Sequence, residues 1–574
     1  MLIDALIHDP ALGLWLEFCH PLETLVANRP EELMQVLARV EQANAEGLFA
    51  AGYVAYEAAA GVDEALGRNE ACSPVAVFGL FSQVSRRKIV KPDVRESYAS
   101  WSLDEGWLSY RDKIESIRRT IEAGGVYQVN YSTRLKGRRV DPNQLFEIAA
   151  VGAPYGAFLD LGDTAIVSAS PELFFRLEGD EICSSPMKGT ASRGLTIESD
   201  RAQGKWLHGS EKNRAENLMI TDMVRNDLGR IATPGSVVSA AVFAVHRLPT
   251  LWQMSSTVRA RTHASLGEVF GALFPAASIT GAPKIASCEI IRELEESPRG
   301  VYTGAIGYAA PKRRVQFNVA IRTATVDKHT GDAVYGVGGG IVWDSIPAEE
   351  YQEIQTKTRV LAEGADLAEL AILETLRWTP ETGFNLLDRH LSRAQQSAEY
   401  FGIPFRRDRV ETALYAAVSG QYDQTMQRVR MVLTRHGEIR TTSQPLELSS
   451  EIQTVALAGT PVDARNRFLY HKTTVRRLYQ QAAISVPDGV EALLWNEEGY
   501  VTESVIANLE FVIGGKSYTP PVEHGLLRGV MREELLANGD IEERPLPVDL
   551  LSELEALFLI SAVRGRRPAR LHDT

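Results

Sequence analysis

Residues 165–190 read AIVSASPELFFRLEGDEICSSPMKGT. Apolar and polar side chains alternate, and Pro171, Gly179 and Pro186 cut the alternation into short runs, the pattern of successive strands. Similar stretches flank it: VYQVNYSTRL from 126, AFLDLG from 157, GAIGYAA from 304, VQFNVAIRTATV from 315 and AVYGVGGGIV from 333. Helical periodicity interrupts them at 30–47, 110–125, 208–228, 282–296 and 348–361. Acidic residues open the first of these and glycines close the second, as helix termini favour. Strands dominate and helices are inserted singly, which predicts an α+β domain on a large antiparallel sheet rather than a doubly wound parallel one.

The chain has 574 residues, too many for one core. The stretch 363–366 (EGAD) is the predicted boundary, because a new pattern starts beyond it with LAILETLRW from 370 and a helix across 386–404. The expected division is 1–90, the N-terminal part of the first unit; 91–362, its core; and 363–574, a second unit. Residues 84–105, polar and of mixed charge, read as a surface connection. The net charge of -13 disfavours nucleic acid, whose phosphates an acidic surface repels. Cys19, Cys72, Cys183 and Cys288 are scattered without a CxxC, so neither a disulfide framework nor a zinc knuckle is expected and a reducing cytoplasm fits. The first residues lack the basic start and clean apolar run of a secretion signal, and no apolar stretch reaches the roughly 18 residues of a membrane span.

Glu350, Glu353 and Lys357 fall at i, i+3 and i+7 of an expected helix and share one face. Glu216 lies on another expected helix. Carboxylates from two helices suit a hard divalent cation, and a plain solvated face is the other reading of the same spacing. The motifs around them decide between the two. GGVYQVN (124–130), SPELF (170–174), PMKGT (186–190), KNRAENLM (212–219) and RNDLGR (225–230) stand in order. ITGAPK (279–284), YTGAIGY (302–308), FNVAIRT (317–323), GGGIVWDS (338–345) and EYQEIQTK (350–357) follow. In all of these the first unit resembles component I of the aminodeoxychorismate synthases and anthranilate synthases.

The resemblance implies Mg2+ on Glu216 and Glu353 with Glu350 in support, and chorismate as substrate. Arg322 would clamp a substrate carboxylate with its planar fork. Tyr302 and Lys357 would add polar contacts, Thr190 and Thr280 would line the pocket, and Gly338 and Gly339 would let backbone N–H groups approach. Glu172 would protonate the departing C4 hydroxyl, and Lys188 would attack ring carbon C2. Ammonia would then enter at C4. Lys188 separates this reading from the anthranilate synthases, which lack a lysine there. Gln128 stands where water-using relatives carry a general-base lysine, which favours ammonia. The sequence departs from the family pattern at Gln253, often a histidine. Asn213 stands where relatives that form isochorismate or salicylate carry an acidic residue. No cysteine sits in a glycine-rich nucleophile turn, so ammonia is expected from solution or from a separate glutamine amidotransferase.

The second unit carries LETLR (373–377), DRHLSR (388–393), FLYHKTTVRRL (468–478), ESVIANL (503–509) and GLLRGVMR (525–532). The last is a glycine turn opening a helix, a form that leaves N–H groups free for an anion. Together they resemble the fold-type IV pyridoxal-phosphate enzymes: branched-chain and D-amino acid aminotransferases and aminodeoxychorismate lyase. The resemblance implies a unit of two α/β subdomains with pyridoxal 5'-phosphate joined to Lys472. Glu503 would face the pyridine nitrogen, and Arg393 with the backbone of Val530 and Met531 would hold the phosphate. In FLISAVRG (558–565) the family has Asn-Ser where Ser561 and Ala562 stand, and Met531 replaces a common threonine, so the phosphate is expected to be held more weakly. Such enzymes commonly pair as homodimers.

The fusion points to a bifunctional enzyme: chorismate and ammonia to 4-amino-4-deoxychorismate, then cleavage to 4-aminobenzoate and pyruvate. One alternative is an anthranilate synthase component I fused to an aminotransferase of branched-chain or D-amino acid type. Another is a chain with one silent half acting as scaffold or regulator.

Overall fold

The computed structural model describes residues 2, 4–66, 74–87, 89, 99–419, 425–449 and 451–572. Cys72 and the expected boundary at 90/91 lie outside them. The chain divides into two compact units: Met1–Ser192 with Gln203–Ala368, and Arg193–Ala202 with Glu369–Thr574.

The elements that carry the site of the first unit are β1 (Gln128–Arg138), β2 (Leu173–Glu178), β3 (Met187–Ser192), α1 (Glu211–Gly229), β4 (Ala333–Ile341) and α2 (Pro347–Glu369). Among the described residues two antiparallel sheets, each of ten strands, organise the unit. One sheet holds β1 and β4 as neighbours, in register from Ala333 opposite Gly137 to Ile341 opposite Val129. The other holds β2 near its centre and β3 at its edge. Ile7, Phe18 and Ile166 from the first sheet pack on Tyr53, Val77 and Ile306 from the second, so the sheets share a core. Outer faces are covered by helices. Tyr110, Ile114, Ile291 and Ile354 cover the first sheet, and Leu37, Val40, Val224 and Phe270 cover the second. The order is helix, sheet, sheet, helix, the α+β layering that strands with singly inserted helices predict.

β2 is fixed from below by an aromatic cluster. Phe175 meets Phe270 at 5.5 Å and Phe317 at 5.4 Å between ring centres, and Phe270 meets Phe317 edge-on at 5.1 Å. Such pairs add about 0.5–1.5 kcal/mol each beyond area burial. They anchor the strand that follows Glu172.

Several elements differ from the sequence pattern. The helix expected at 208–228 starts afresh at Glu211, because Ser210 caps it with its side chain on the Asn213 N–H. The helix expected to end at 361 runs on to Glu369, straight through EGAD. Alanine, leucine and glutamate around Gly364 favour helix enough to carry it. The 84–105 stretch holds two short strands, Ser85–Arg87 and Ser100–Leu103, with 90–98 outside the described residues.

In the second unit, β5 (Ile372–Thr379), α3 (Leu387–Phe401), β6 (Gln427–Leu433), β7 (Val501–Ser504), β8 (Asn508–Ile513) and α4 (Val530–Asn538) carry the site. β5 and β6 belong to a four-stranded antiparallel sheet. An eight-stranded mixed sheet forms the rest, and the extra pairing of β7 with β8 closes part of it into a ring. Val455, Leu493, Leu509, Phe511 and Leu559 fill that ring's core. Lys472 lies on an irregular segment tied to β5: its carbonyl accepts the Leu373 N–H at 2.9 Å. No helix among the described residues is long and apolar enough to cross a membrane.

Candidate active sites

A cavity of about 490 Å³ opens in the first unit. Lys188 and Thr190 reach it from β3, Gly338 and Gly340 from β4, Glu216 from α1, and Glu350, Glu353 and Lys357 from α2. Glu172, Tyr302 and Arg322 complete the set expected from sequence that lines it. Three expected residues do not line it. Thr280 is wholly buried, with its hydroxyl donating to the Ala276 carbonyl at 3.2 Å. Gly339 faces α2: a Cβ there would stand 3.2 Å from Glu350 Oε2. Gln128 is wholly buried behind Gly340.

Glu172 sits in the turn before β2, almost without solvent. Burial pushes its carboxyl up to about 7, against hydrogen bonds from Ser278 Oγ at 2.6 Å and Met187 N–H at 3.4 Å. A carboxylic acid still partly protonated near neutrality is what general-acid work needs. Lys188 moves the other way: burial lowers it, with Glu216 opposing, so more of its amine is free of its proton. Arg322 is held at φ 52, in the left-handed region. Its guanidinium has no hydrogen bond or ion pair among the described residues, and burial lowers its pKa. A desolvated guanidinium that faces the cavity with no ion-pair partner among the described residues suits an anionic ligand.

The carboxylates are unequal. Burial and then Glu353 push Glu350 up to about 7, while Ser345 Oγ donates to it at 2.7 Å. Burial also raises Glu216. Glu353 is lowered: burial opposes this, and Lys357, 2.8 Å away, overcomes it. Lys357 also donates to the Gly338 carbonyl at 2.7 Å. Among the described residues no three His, Cys, Asp or Glu side chains converge into a ready metal cage. Mg2+ commonly takes only one or two carboxylates plus substrate and water, so Glu216 and Glu353 as hard-oxygen donors fit it without one.

Sequence reasoning missed Ser278, which orients Glu172, and Tyr335 and Trp206 in the wall. Gly336 explains how Tyr302 fits: any Cβ there would stand 2.1 Å from the ring. Gln253 lines the cavity and donates to the Gly189 carbonyl at 2.8 Å, holding the β3 backbone next to Lys188.

The cavity of the second unit measures about 350 Å³ and contains Lys472, Arg393, Glu503, Val530, Met531 and Ala562. Burial first, then Arg393, brings Lys472 down to about 8. Burial pushes Glu503 up to about 7, although Tyr479 donates to it at 2.9 Å and Asn508 at 3.2 Å. Val530 and Met531 open α4, whose free N–H groups suit a phosphate. A Cβ at the capping Gly529 would stand 1.7 Å from Asn508 Oδ1, so only glycine lets the helix start there. These features fit pyridoxal phosphate: an amine that burial makes easier to deprotonate, a carboxyl able to share a proton with a ring nitrogen, and an anion cradle.

Arg393 is less free than its motif implies. Its Nε and Nη2 grip Glu374 at 2.9 and 2.7 Å, and Nη1 donates to the Arg528 carbonyl at 3.1 Å. Glu374 also meets His390 Nδ1 at 2.8 Å, and its carboxyl is held down to about 2 against the cost of burial by Arg393 and His390. Neither partner was marked by sequence reasoning. Arg428 and Arg430 on β6, and Arg564, also line the cavity. The i, i+2 spacing of the first two in a strand was the available signal.

Residues 82–363 match the family model for a chorismate binding enzyme, and residues 371–571 match that for class IV amino-transferases. The two halves match two different families. Aminodeoxychorismate synthase component 1 of Salmonella typhimurium is 41% identical over 260 residues, 44% of this chain and 57% of that protein. An anthranilate synthase component 1 of Haloarcula marismortui is 37% identical over 282 residues, 48% of this chain and 57% of that one. The matched stretch spans little more than half of each relative's own length. The structure of anthranilate synthase component I from Streptococcus pneumoniae superposes with a TM-score of 0.50 at 23% identity, covering 62% of this chain and 90% of that one, a likeness of fold.

Proposed function

We propose that the first unit converts chorismate and ammonia to 4-amino-4-deoxychorismate and that the second cleaves this to 4-aminobenzoate and pyruvate. The observation that carries the reading is Lys188 sharing a cavity with Glu172, burial lowering the pKa of the amine and raising that of the carboxyl to about 7. Lys188 attacks C2, the two conjugated ring double bonds both shift by one place, and the C4 hydroxyl leaves as water with the proton of Glu172. Ammonia then attacks C4, both double bonds shift back, and the bond between C2 and Lys188 breaks. The proton shed by the new amine returns to Glu172. Arg322 holds a substrate carboxylate throughout. Glu216 and Glu353 would hold Mg2+, which supplies charge neutralisation for a carboxylate, with Glu350 in support.

In the second unit pyridoxal phosphate, when bound, supplies an electron sink. Lys472 accepts and returns the substrate's α-proton, and Glu503 would hold the ring nitrogen of that group. Arg428 and Arg430 set two cations in the wall, which suits a substrate with more than one carboxylate better than an alkyl side chain. Ammonia comes from solution or a separate glutamine amidotransferase, and the second unit pairs with another copy of itself. The setting is cytoplasmic.

The comparisons alone favour a second reading, an anthranilate synthase component I joined to an amino-transferase. The family matched by 371–571 is described by its amino-transferases, and anthranilate synthases stand among the relatives of the first half. Product analysis separates the readings. Purified protein is given chorismate, Mg2+, ammonium and pyridoxal phosphate, without any 2-oxo acid acceptor, beside Lys188→Ala and Lys472→Ala. The first reading requires 4-aminobenzoate and pyruvate from the wild type and accumulated aminodeoxychorismate from Lys472→Ala. Anthranilate, or cleavage replaced by acceptor-dependent transamination, supports the second.

A further inference from the structure

Gln128 opens β1 with its side chain wholly buried, yet among the described residues neither its Oε1 nor its Nε2 has a hydrogen-bond partner. Burying an amide without partners is costly, and native structures rarely leave both ends of one unsatisfied. Its neighbour explains it. A Cβ built on Gly340 would stand 2.5 Å from Lys188 Nζ and 3.0 Å from Gln128 Nε2, so the ends of both side chains lie over the bare backbone of one glycine. Lys188 Nζ likewise makes no hydrogen bond among the described residues. The charged groups acting on it are Glu216, Lys357, Glu172 and Glu353. A half-turn of the Gln128 amide exchanges its oxygen and nitrogen at little cost, and which of the two faces Lys188 is an assignment from the hydrogen-bond network.

We propose that Gln128 is the positioning residue for Lys188, accepting an N–H of its amine on Oε1 so that the nitrogen lone pair is aimed at the substrate ring. This rests on Lys188 being the nucleophile of the first unit. An amide suits the task because it accepts a hydrogen bond without offering a negative charge. A carboxylate in its place would hold the ammonium form, and an alkyl group would leave the amine unaimed. Gly340 is part of the device, since any larger residue displaces the tip of Lys188.

The test reads Lys188 directly. Its reactivity toward acetic anhydride is followed by mass spectrometry of the peptide holding Lys188, from pH 6 to 10, in the full-length wild type, Gln128→Glu and Gln128→Leu. Unfolding temperatures of all three are measured alongside. Gln128→Glu moves the midpoint of Lys188 labelling upward by a unit or more. Gln128→Leu leaves the midpoint within half a unit of wild type but slows chorismate turnover at least tenfold. A Gln128→Glu midpoint equal to wild type in a folded protein overturns the proposal, as does full turnover in Gln128→Leu. If Gln128→Glu does not fold, Gln128→Leu still decides through turnover. A shifted midpoint in a protein that makes anthranilate leaves the positioning intact and removes the proposed reaction instead.

Discussion

Replacing Glu172 by glutamine should make the first unit more stable while abolishing its chemistry. The carboxyl lies buried and its pKa rises from 4.5 to about 7. At about 1.36 kcal/mol per unit, ionising it in the folded protein costs about 3 kcal/mol. The sign follows from the order of the two values. The folded pKa is the higher, so the stabilising contribution is complete below pH 4.5 and is lost as pH climbs toward 7. Glutamine keeps the oxygen that accepts from Ser278 and Met187 and never ionises. Thermal unfolding of both proteins at pH 5 and pH 8 reads the effect. Their midpoints should nearly coincide at pH 5, and Glu172→Gln should lead by roughly 5 °C at pH 8. Ammonia-dependent consumption of chorismate should fall at least a hundredfold. A lead of equal size at both pH values would show that Glu172 does not carry an ionisation penalty, and the general-acid assignment would lose its physical basis.

Other perturbations reach different parts of the account. Gly340→Ala pushes on the flexible tip of Lys188 rather than on backbone, so kcat should fall at least tenfold while the unfolding midpoint moves by less than about 2 °C; a midpoint loss without a kcat change would contradict that. Arg322→Ala should raise KM for chorismate by about a hundredfold, on the order of 3 kcal/mol for a lost charge-assisted contact, as initial rates would show. Capture of pyridoxal phosphate by Lys472 should accelerate as pH rises through about 8 and level off above it, measured by absorbance. Ala562→Ser should tighten pyridoxal phosphate binding several-fold by adding a hydroxyl beside Ser561, measured by equilibrium dialysis.

Layering and site differ in how far they were legible. Short apolar runs cut by Pro171, Gly179 and Pro186 mark strands around 165–190, although layers packed on both sides bury both faces of strands such as Thr164–Ser170 and Arg314–Val319 and leave little period of two. Ser210 and Gly364 show the limit: one capping hydroxyl restarts a helix, and one glycine fails to stop another. Motif order named Glu172, Lys188 and Arg322, and all three line one cavity. Side-chain direction was not legible. Gln128 and Thr280 belong to motifs of the site, but their places on the backbone turn them into the interior. Glu374 and Ser278 were missed because their partners lie 19 and 106 positions away in sequence, and only the fold brings the pairs together.

The claim at the centre is that Lys188 forms a bond to the substrate. Protein mixed with chorismate and Mg2+ in the absence of ammonia, quenched and weighed intact, tests it most directly. A mass gain of one chorismate less one water is expected, mapped to the peptide holding Lys188 and absent from Lys188→Ala. Unmodified Lys188 in a protein that then forms anthranilate once ammonium is added would contradict it.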